Sequence, residues 1–551
     1  TAESFRQFLL SKETLYFNDG ANFSVAVLKN KVNGILSLSI DGKVDASNDY
    51  GADVNTQVLL GQLPMLLHGN AKKVLVIGLA SGVTLGAVAQ YPVEEIDCVE
   101  LEPSMVKAAG FFAQWNHSVL KDPRVRIITN DARNYLLSTK KKYDVIISEP
   151  SNPWIAAAST LFTKEHFELV RERLNPGGVF CQWMQLYAVR SEDYKTVINT
   201  VSSVFSDVSL WTPFLNDILM IATPGKLSID YPAFKKRFDY AKADVSSLGI
   251  KDPLTLLTDK FLMAGGDVAN FVKGAGLNTD NRPAIEFSAP LSLYDTAAFD
   301  QNYRQLLDNA GTITPYINGA EAPPGKSATT DLAQKYMAVG RINAAQNELL
   351  NSIQQGSEGA DEEALLGEIS LKKGQKDEAI AHFEKAVALK PSNLLDLLGL
   401  SRAYLNAGDA EKALAYALKA LKLSPGYAPG FNQAGLVCLR KGEIENALKY
   451  FGEARKADTK LLAAYINEAV VYLDFANIPP AALMSLNAAA KVDPNSAEVF
   501  FQTGRALYKL GLYNQAAASF TKAIQLNKTY ELIVLREIPK MPPPPGAGKA
   551  P

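Results

Sequence analysis

Apolar and polar residues alternate from about Thr14 to Asp45, as in Phe23-Ser24-Val25-Ala26-Val27 and Ile35-Leu36-Ser37-Leu38. Asn33-Gly34 and Asp41-Gly42 punctuate this stretch, so it predicts a set of β-hairpins. From Lys72 to about Thr223 the pattern changes. Short continuous apolar runs (Val74–Ile77, Ile96–Val99, Val125–Ile128, Tyr143–Ile147 and Gly178–Cys181) alternate with helical stretches. Uninterrupted apolar strands between helices imply a parallel sheet covered on both faces. Asn175-Pro176-Gly177-Gly178 reads as a turn before the fifth run, and a mixed segment continues to about Leu307.

Beyond a Gly-, Pro-, Ala- and Thr-rich stretch the chain becomes helical throughout, and a repeat emerges. Gly340, Gly374, Gly408 and Gly442 are spaced by 34, Asn477 follows after 35 and Gly511 after 34. Ala345, Ala379, Ala413, Ala447, Ala482 and Ala516 keep the same step, as do Ala386, Ala420, Ala454, Ala489 and Ala523. Pro391, Pro425 and Pro494 close three of the units. Helix, Gly turn, helix and closing Pro at this period is the tetratricopeptide (TPR) pattern, in which each unit buries its apolar face on its neighbours. The expected organisation is a hairpin region over 1–70, an α/β domain over 71–306, a linker over 307–330, six repeats over 331–538 and a Pro-rich, extended tail over 539–551. The fold class is Rossmann-like α/β with N-terminal hairpins, followed by an all-α TPR superhelix whose groove would take a protein or peptide.

Composition narrows the chemistry. The chain has 551 residues, 47% apolar, 21% charged, with formal net charge −2. That balance argues against broad electrostatic binding to nucleic acid or anionic membrane. Cys98, Cys181 and Cys438 are scattered and read as small core residues, with no disulfide framework or zinc spacing. No apolar run is long enough to span a bilayer. The first residue is Thr1, which leaves room for a membrane region before it. Sparse cysteine favours the cytoplasm or the cytoplasmic face of a membrane, with the other side left open.

The candidate site lies where the first apolar run meets Gly78-Leu79-Ala80-Ser81-Gly82 and a helix. Small residues at such a turn let backbone pass close to a ligand. Glu100 ends the second run, where a carboxylate can accept hydrogen bonds from ribose hydroxyls. Asn130-Asp131-Ala132 follows the third, where Asp131 can meet an adenine amine. The alternative for Glu100 and Asp131 is that both cap helices. No phosphate-binding Lys follows the turn, so a nucleoside such as S-adenosylmethionine or its decarboxylated form fits better than a dinucleotide. No metal is expected. Trp154 and Trp183 are weaker candidates for stacking on a ligand, and His117 and His166 read as structural.

In order, these segments resemble the spermidine synthases (polyamine aminopropyltransferases): the hairpins, the Gly-rich turn, Val99-Glu100-Leu101-Glu102, Asp122-Pro123-Arg124-Val125, Asn130-Asp131-Ala132-Arg133 and Tyr143–Ile147. Ser148-Glu149-Pro150-Ser151-Asn152-Pro153-Trp154 and Asn278-Thr279-Asp280-Asn281-Arg282-Pro283 are similar to a divergent bacterial branch, often fused behind membrane domains and sometimes carrying TPR repeats. The resemblance spans about Phe17 to Tyr294. It implies aminopropyl transfer from decarboxylated S-adenosylmethionine to an amine and, by analogy with the family, a homo-oligomer. It also implies that Glu149 stands at the first Asp of the family's catalytic loop and Asn152 at the second. Ser81 replaces an acidic residue of the Gly turn, and Thr56, Gln57 and Val58 align with a Tyr-His-Glu stretch. Glu149 is then the one acceptor-binding carboxylate retained, which weakens the case for polyamine chemistry. Two readings follow: an enzyme in which Glu149 activates an amine, or a scaffold with a degenerate synthase domain and working TPR repeats. Methyl transfer is a third, lesser reading.

Overall fold

The computed structural model describes residues 11–292, 295, 298–319, 326–354, 356 and 359–537. The tail from 539 and residues 320–325 of the expected linker lie outside the described residues. Two compact units divide between Glu348 and Leu349.

The first unit opens with an antiparallel sheet of β1 (Lys12–Asp19), β2 (Ser24–Asn30), β3 (Leu36–Ile40) and β4 (Lys43–Ser47). Val25, Val27, Leu36 and Leu38 point inward, as the alternation requires. Ile40 pairs with Lys43 across Asp41-Gly42, both with positive φ (49° and 82°), the geometry of a two-residue hairpin turn. The hairpins fill only the first part of 1–70. Helix α1 (Asp53–His68) follows and is buried continuously from Val54 to Leu66. A helix covered all round shows no amphipathic period, and Pro64 inside it masks it further.

The second sheet has eight strands among the described residues. They are β5 (Lys73–Ile77), β6 (Glu95–Glu100), β7 (Val125–Thr129), β8 (Tyr143–Ser148), β9 (Leu174–Gln185), β10 (Asp207–Trp211), β11 (Asp217–Thr223) and, after the two-residue β12 (Ile229–Asp230), β13 (Phe261–Ala264). Their order is β13-β10-β11-β9-β8-β5-β6-β7. β5 to β9 are parallel, and β10, β11 and β13 join antiparallel. The five apolar runs are thus the parallel strands. Each is apolar throughout because it buries both faces: Val74, Val76, Val145 and Ile147 enter one core, and Leu75, Ile77 and Ile146 the other. β9 begins earlier than its Gly-rich turn suggests, with a register shift against β8 where Gly177 takes φ 86°.

Between the sheets' strands run α2 (Val83–Ala89), α3 (Ser104–Gly110), α4 (Ala132–Ser138), α5 (Lys164–Arg173) and α6 (Ser191–Val204). Neighbours of β5 lie on both sides, β8 and β6, so the sheet reverses direction there and opens a crevice at its carboxyl edge. Within 307–330, Ile317–Asn318 pairs in parallel with β12. Helix 326–338 and the start of the next helix also belong to this unit. Lys335 Nζ donates to Asp252 (3.0 Å), Tyr336 Oη accepts from Ile313 N–H (2.8 Å), buried Arg341 donates to Phe261 O, and Thr314 Oγ1 donates to Glu348 (2.8 Å). The unit boundary therefore falls beyond Asp331, where the helical pattern begins.

The second unit is a run of antiparallel helix pairs starting with Ala360–Lys373 and Lys376–Leu389. Its turns carry the periodic residues in left-handed backbone: Gly374 (φ 73°), Gly408 (97°), Gly442 (80°), Asn477 (52°) and Gly511 (75°). The repeated alanines Ala379, Ala413, Ala447, Ala482 and Ala516 have no exposed surface. A second small-residue device accompanies them. A Cβ on Gly435 would lie 2.6 Å from the Phe451 ring, and one on Gly504 2.6 Å from Phe520, so these ring–backbone contacts demand glycine.

Candidate functional site

The crevice holds a cavity of about 440 Å³, within the range of ligand sites. Gly78, Ala80, Glu100, Asp131, Ala132 and Glu149 line it, joined by Trp154, Trp183 and Tyr187. Each arrives from the end of a strand: Gly78 and Ala80 after β5, Glu100 at the end of β6, Asp131 and Ala132 after β7, and Glu149 after β8. Ser81 and Gly82, expected at the ligand, face elsewhere. The Ser81 hydroxyl donates to Gln57 Oε1, and a Cβ on Gly82 would meet the Asn116 amide at 3.1 Å. Gly78 is required by the loop that follows the neighbouring strand β8, because a Cβ there would lie 2.6 Å from Glu149 O. Ala80 holds φ 43°, a strained value for a residue with a side chain, at a turn that borders the cavity.

Glu100 is buried and tied to backbone: Leu79 N–H donates to Oε2 and Glu102 N–H to Oε1 (both 2.9 Å). Burial raises its pKa, and those backbone donors pull against the rise. Asp131 caps α4 by accepting from Asn134 N–H (2.9 Å), yet still borders the cavity. The helix-capping alternative and the pocket position thus coexist in one residue. Trp154 and Trp183 are half-buried on the cavity wall. His117 bonds Asp244 (2.8 Å), and His166 is fully buried in the core. Asp280 pairs with Arg133 (2.6 Å).

The end of the cavity around Glu149 holds more than the single carboxylate expected there. Asp45 from β4, Asp53 from α1 and Asp217 from β11 line the same cavity as Glu149. Glu149 is half-buried, and its Oε2 accepts from Thr84 Oγ1 (2.7 Å). Burial first, then the charges of Asp217, Asp53 and Asp45, raise it to about 7. Asp217 accepts from Thr56 Oγ1 (2.6 Å) through Oδ2, and its Oδ1 is buried without a hydrogen-bond partner among the described residues. Burial and the Asp53 charge raise Asp217 to about 7 as well. Asp53 is also raised, mainly by burial. Ser151 Oγ donates to Asp45 Oδ2 (3.3 Å), linking this group to the Glu149 loop. No short motif announces Asp45, Asp53 and Asp217, since they are spread over three elements, and only Asp217 carries a hint, standing at the start of an apolar strand.

Comparison with known proteins bears on this geometry. The spermine/spermidine synthase domain matches residues 54–219. The polyamine aminopropyltransferase of Yersinia pseudotuberculosis is 30% identical over 249 residues, covering 43% of this chain and 82% of the relative. The chain belongs to the spermine/spermidine synthase family. The polyamine aminopropyltransferase of Serratia proteamaculans is 28% identical, over 38% of this chain and 72% of the relative. Among solved structures, a spermidine synthase in complex with the transition state analogue AdoDATO is similar at 22% identity, with TM-score 0.36, covering 43% of this chain and 84% of that one. Spermidine synthase from Thermotoga maritima is similar at 23% identity, with TM-score 0.34, over 41% and 76%. In the second unit, the TT21 fifth ARM repeats domain matches 361–473 and a tetratricopeptide repeat matches 497–530. Among the described residues no group of three or more His, Cys, Asp or Glu is placed to hold a metal ion, and no helix is long and apolar enough to cross a membrane.

Proposed function

We propose that the synthase unit transfers an aminopropyl group from decarboxylated S-adenosylmethionine to an amine, and that the repeat unit binds a protein segment. The observation that carries the reading is the convergence of Asp45, Asp53, Glu149 and Asp217 on the cavity bordered by the Gly turn, Glu100 and Asp131. The nucleoside lies at the carboxyl edge of the sheet, its ribose against Glu100 and its adenine near Asp131. The amine lies among the four carboxylates. Amines are cations near pH 7, and four carboxylates gathered around the single ammonium of Lys43 leave a costly excess of negative charge, so an incoming ammonium is favoured.

The reaction needs one proton moved. Glu149 takes it from the ammonium, the freed nitrogen pair attacks the carbon beside the sulfonium, the C–S electron pair returns to sulfur, and methylthioadenosine leaves. A carboxylate at about 7 is a better proton acceptor than an ordinary one. The acidic surroundings also favour the decarboxylated cofactor, because the carboxylate of S-adenosylmethionine would meet like charge, which argues against methyl transfer. The test is calorimetry with methylthioadenosine and both cofactor forms, followed by methylthioadenosine release with a panel of amines. Tight binding of the decarboxylated form and amine-dependent release are expected. A folded protein that binds none of the three overturns the reading and favours the scaffold.

A further inference from the structure

The cavity contains one basic side chain among the described residues lining it, Lys43. It is the first residue of β4, placed by the Asp41-Gly42 turn, and its ammonium pairs with Asp45 Oδ1. Asp45 is 9% exposed at its side chain and Lys43 32%, so the pair sits at the inner mouth of the pocket rather than on open surface. The Asp45 oxygen not facing Lys43 is held by Ser151, next to the Glu149 loop. On the same cavity, Asp217 has a buried Oδ1 and makes no ion pair with a cation among the described residues. The acceptor end therefore has an acid already neutralised by a tethered cation and acids that still lack one.

A lysine side chain is itself a four-carbon amine. Resting on Asp45, it fills a place that the far ammonium of a diamine would otherwise take. We propose that Lys43 is a specificity-determining residue that occupies the distal-amine position of the acceptor site and directs the enzyme toward acceptors with a single cationic nitrogen. The proposal rests on the aminopropyltransferase reading above. The near nitrogen goes to Glu149 and Asp217. The remainder of the acceptor extends toward the Lys43–Asp45 pair, where a second ammonium is opposed by like charge and by loss of the existing ion pair.

The experiment uses the full chain saturated with methylthioadenosine and titrates n-butylamine and the four-carbon diamine putrescine into wild type, Lys43→Met and Lys43→Arg. Methionine keeps the length and apolar stem but removes the charge. The expected result is a gain for putrescine in Lys43→Met of about ten-fold or more, the size of one charge-assisted hydrogen bond, with butylamine unchanged and Lys43→Arg like wild type. Methylthioadenosine affinity should be equal in all three, which shows that the pocket is intact. An equal gain for both amines would mean that Lys43 acts only as a diffuse charge and overturns the proposal. So does no gain for either. Failure of wild type to bind methylthioadenosine would instead overturn the reading beneath it, and the proposal with it.

Discussion

Replacing Glu149 by Gln should stabilise the synthase unit at high pH while removing its chemistry. The folded protein holds Glu149 at about 7, against an ordinary value of 4.5. Between those values the native state keeps a proton that the unfolded chain releases. Unfolding free energy changes with pH in proportion to protons bound unfolded minus protons bound native, which is negative here, so this group's contribution falls as pH rises from 4.5 to about 7. At about 1.4 kcal/mol per unit, the ionised group costs on the order of 3 kcal/mol above pH 7. Glutamine avoids that penalty and retains a partner in Thr84, whose hydroxyl also lies 3.0 Å from Gln57 O. The variant should therefore match wild type near pH 5 and exceed it by roughly 2–3 kcal/mol near pH 8. All four tryptophans, Trp115, Trp154, Trp183 and Trp211, belong to the first unit, so denaturant unfolding followed by indole fluorescence reads this unit alone. A stability difference independent of pH would refute the argument that burial and neighbouring acids hold Glu149 protonated.

Other outcomes follow from the same geometry. Transfer by wild type should rise with pH through about 7 as Glu149 ionises, and Glu149→Gln should abolish it with methylthioadenosine affinity unchanged; residual full turnover removes Glu149 from the mechanism. Thr84→Val removes a bond that favours the ionised form, so the pH–rate profile should move upward, and Thr84→Ser should restore it. Asp131→Asn preserves a good N-cap while removing the charge, so nucleoside affinity should drop by about 1.5–3 kcal/mol without loss of thermal stability. Phe451→Ala empties the space between Gly435 and its neighbours and should cost the repeat unit about 3–5 kcal/mol, measured by helical circular dichroism on denaturation.

The sequence alone determined whatever depends on local geometry. The parallel strands are legible because each must be apolar on both faces over a short run, and the Gly turn and Glu100 sit at fixed offsets from the first two. The repeats are legible because the same left-handed turn recurs, from Gly374 to Gly511, and only Gly or Asn enters that backbone readily. Helix α1 was not legible, since burial on all sides erases the period that marks a helix. Nor were β10, β11 and β13, which add antiparallel strands after the regular alternation ends. The same holds for the carboxylates around Glu149. Read along the chain, Glu149 stands as a lone acid beside Asn152. In the folded protein, Asp45, Asp53 and Asp217 come to it from a hairpin, a helix and an antiparallel strand. Asp45 and Asp53 are not marked by their neighbours in sequence, and Asp217 only by the apolar strand it opens, because a carboxylate becomes a site only when burial and other charges change its proton affinity. Those are properties of the packed sheets, and the tertiary structure alone decides them.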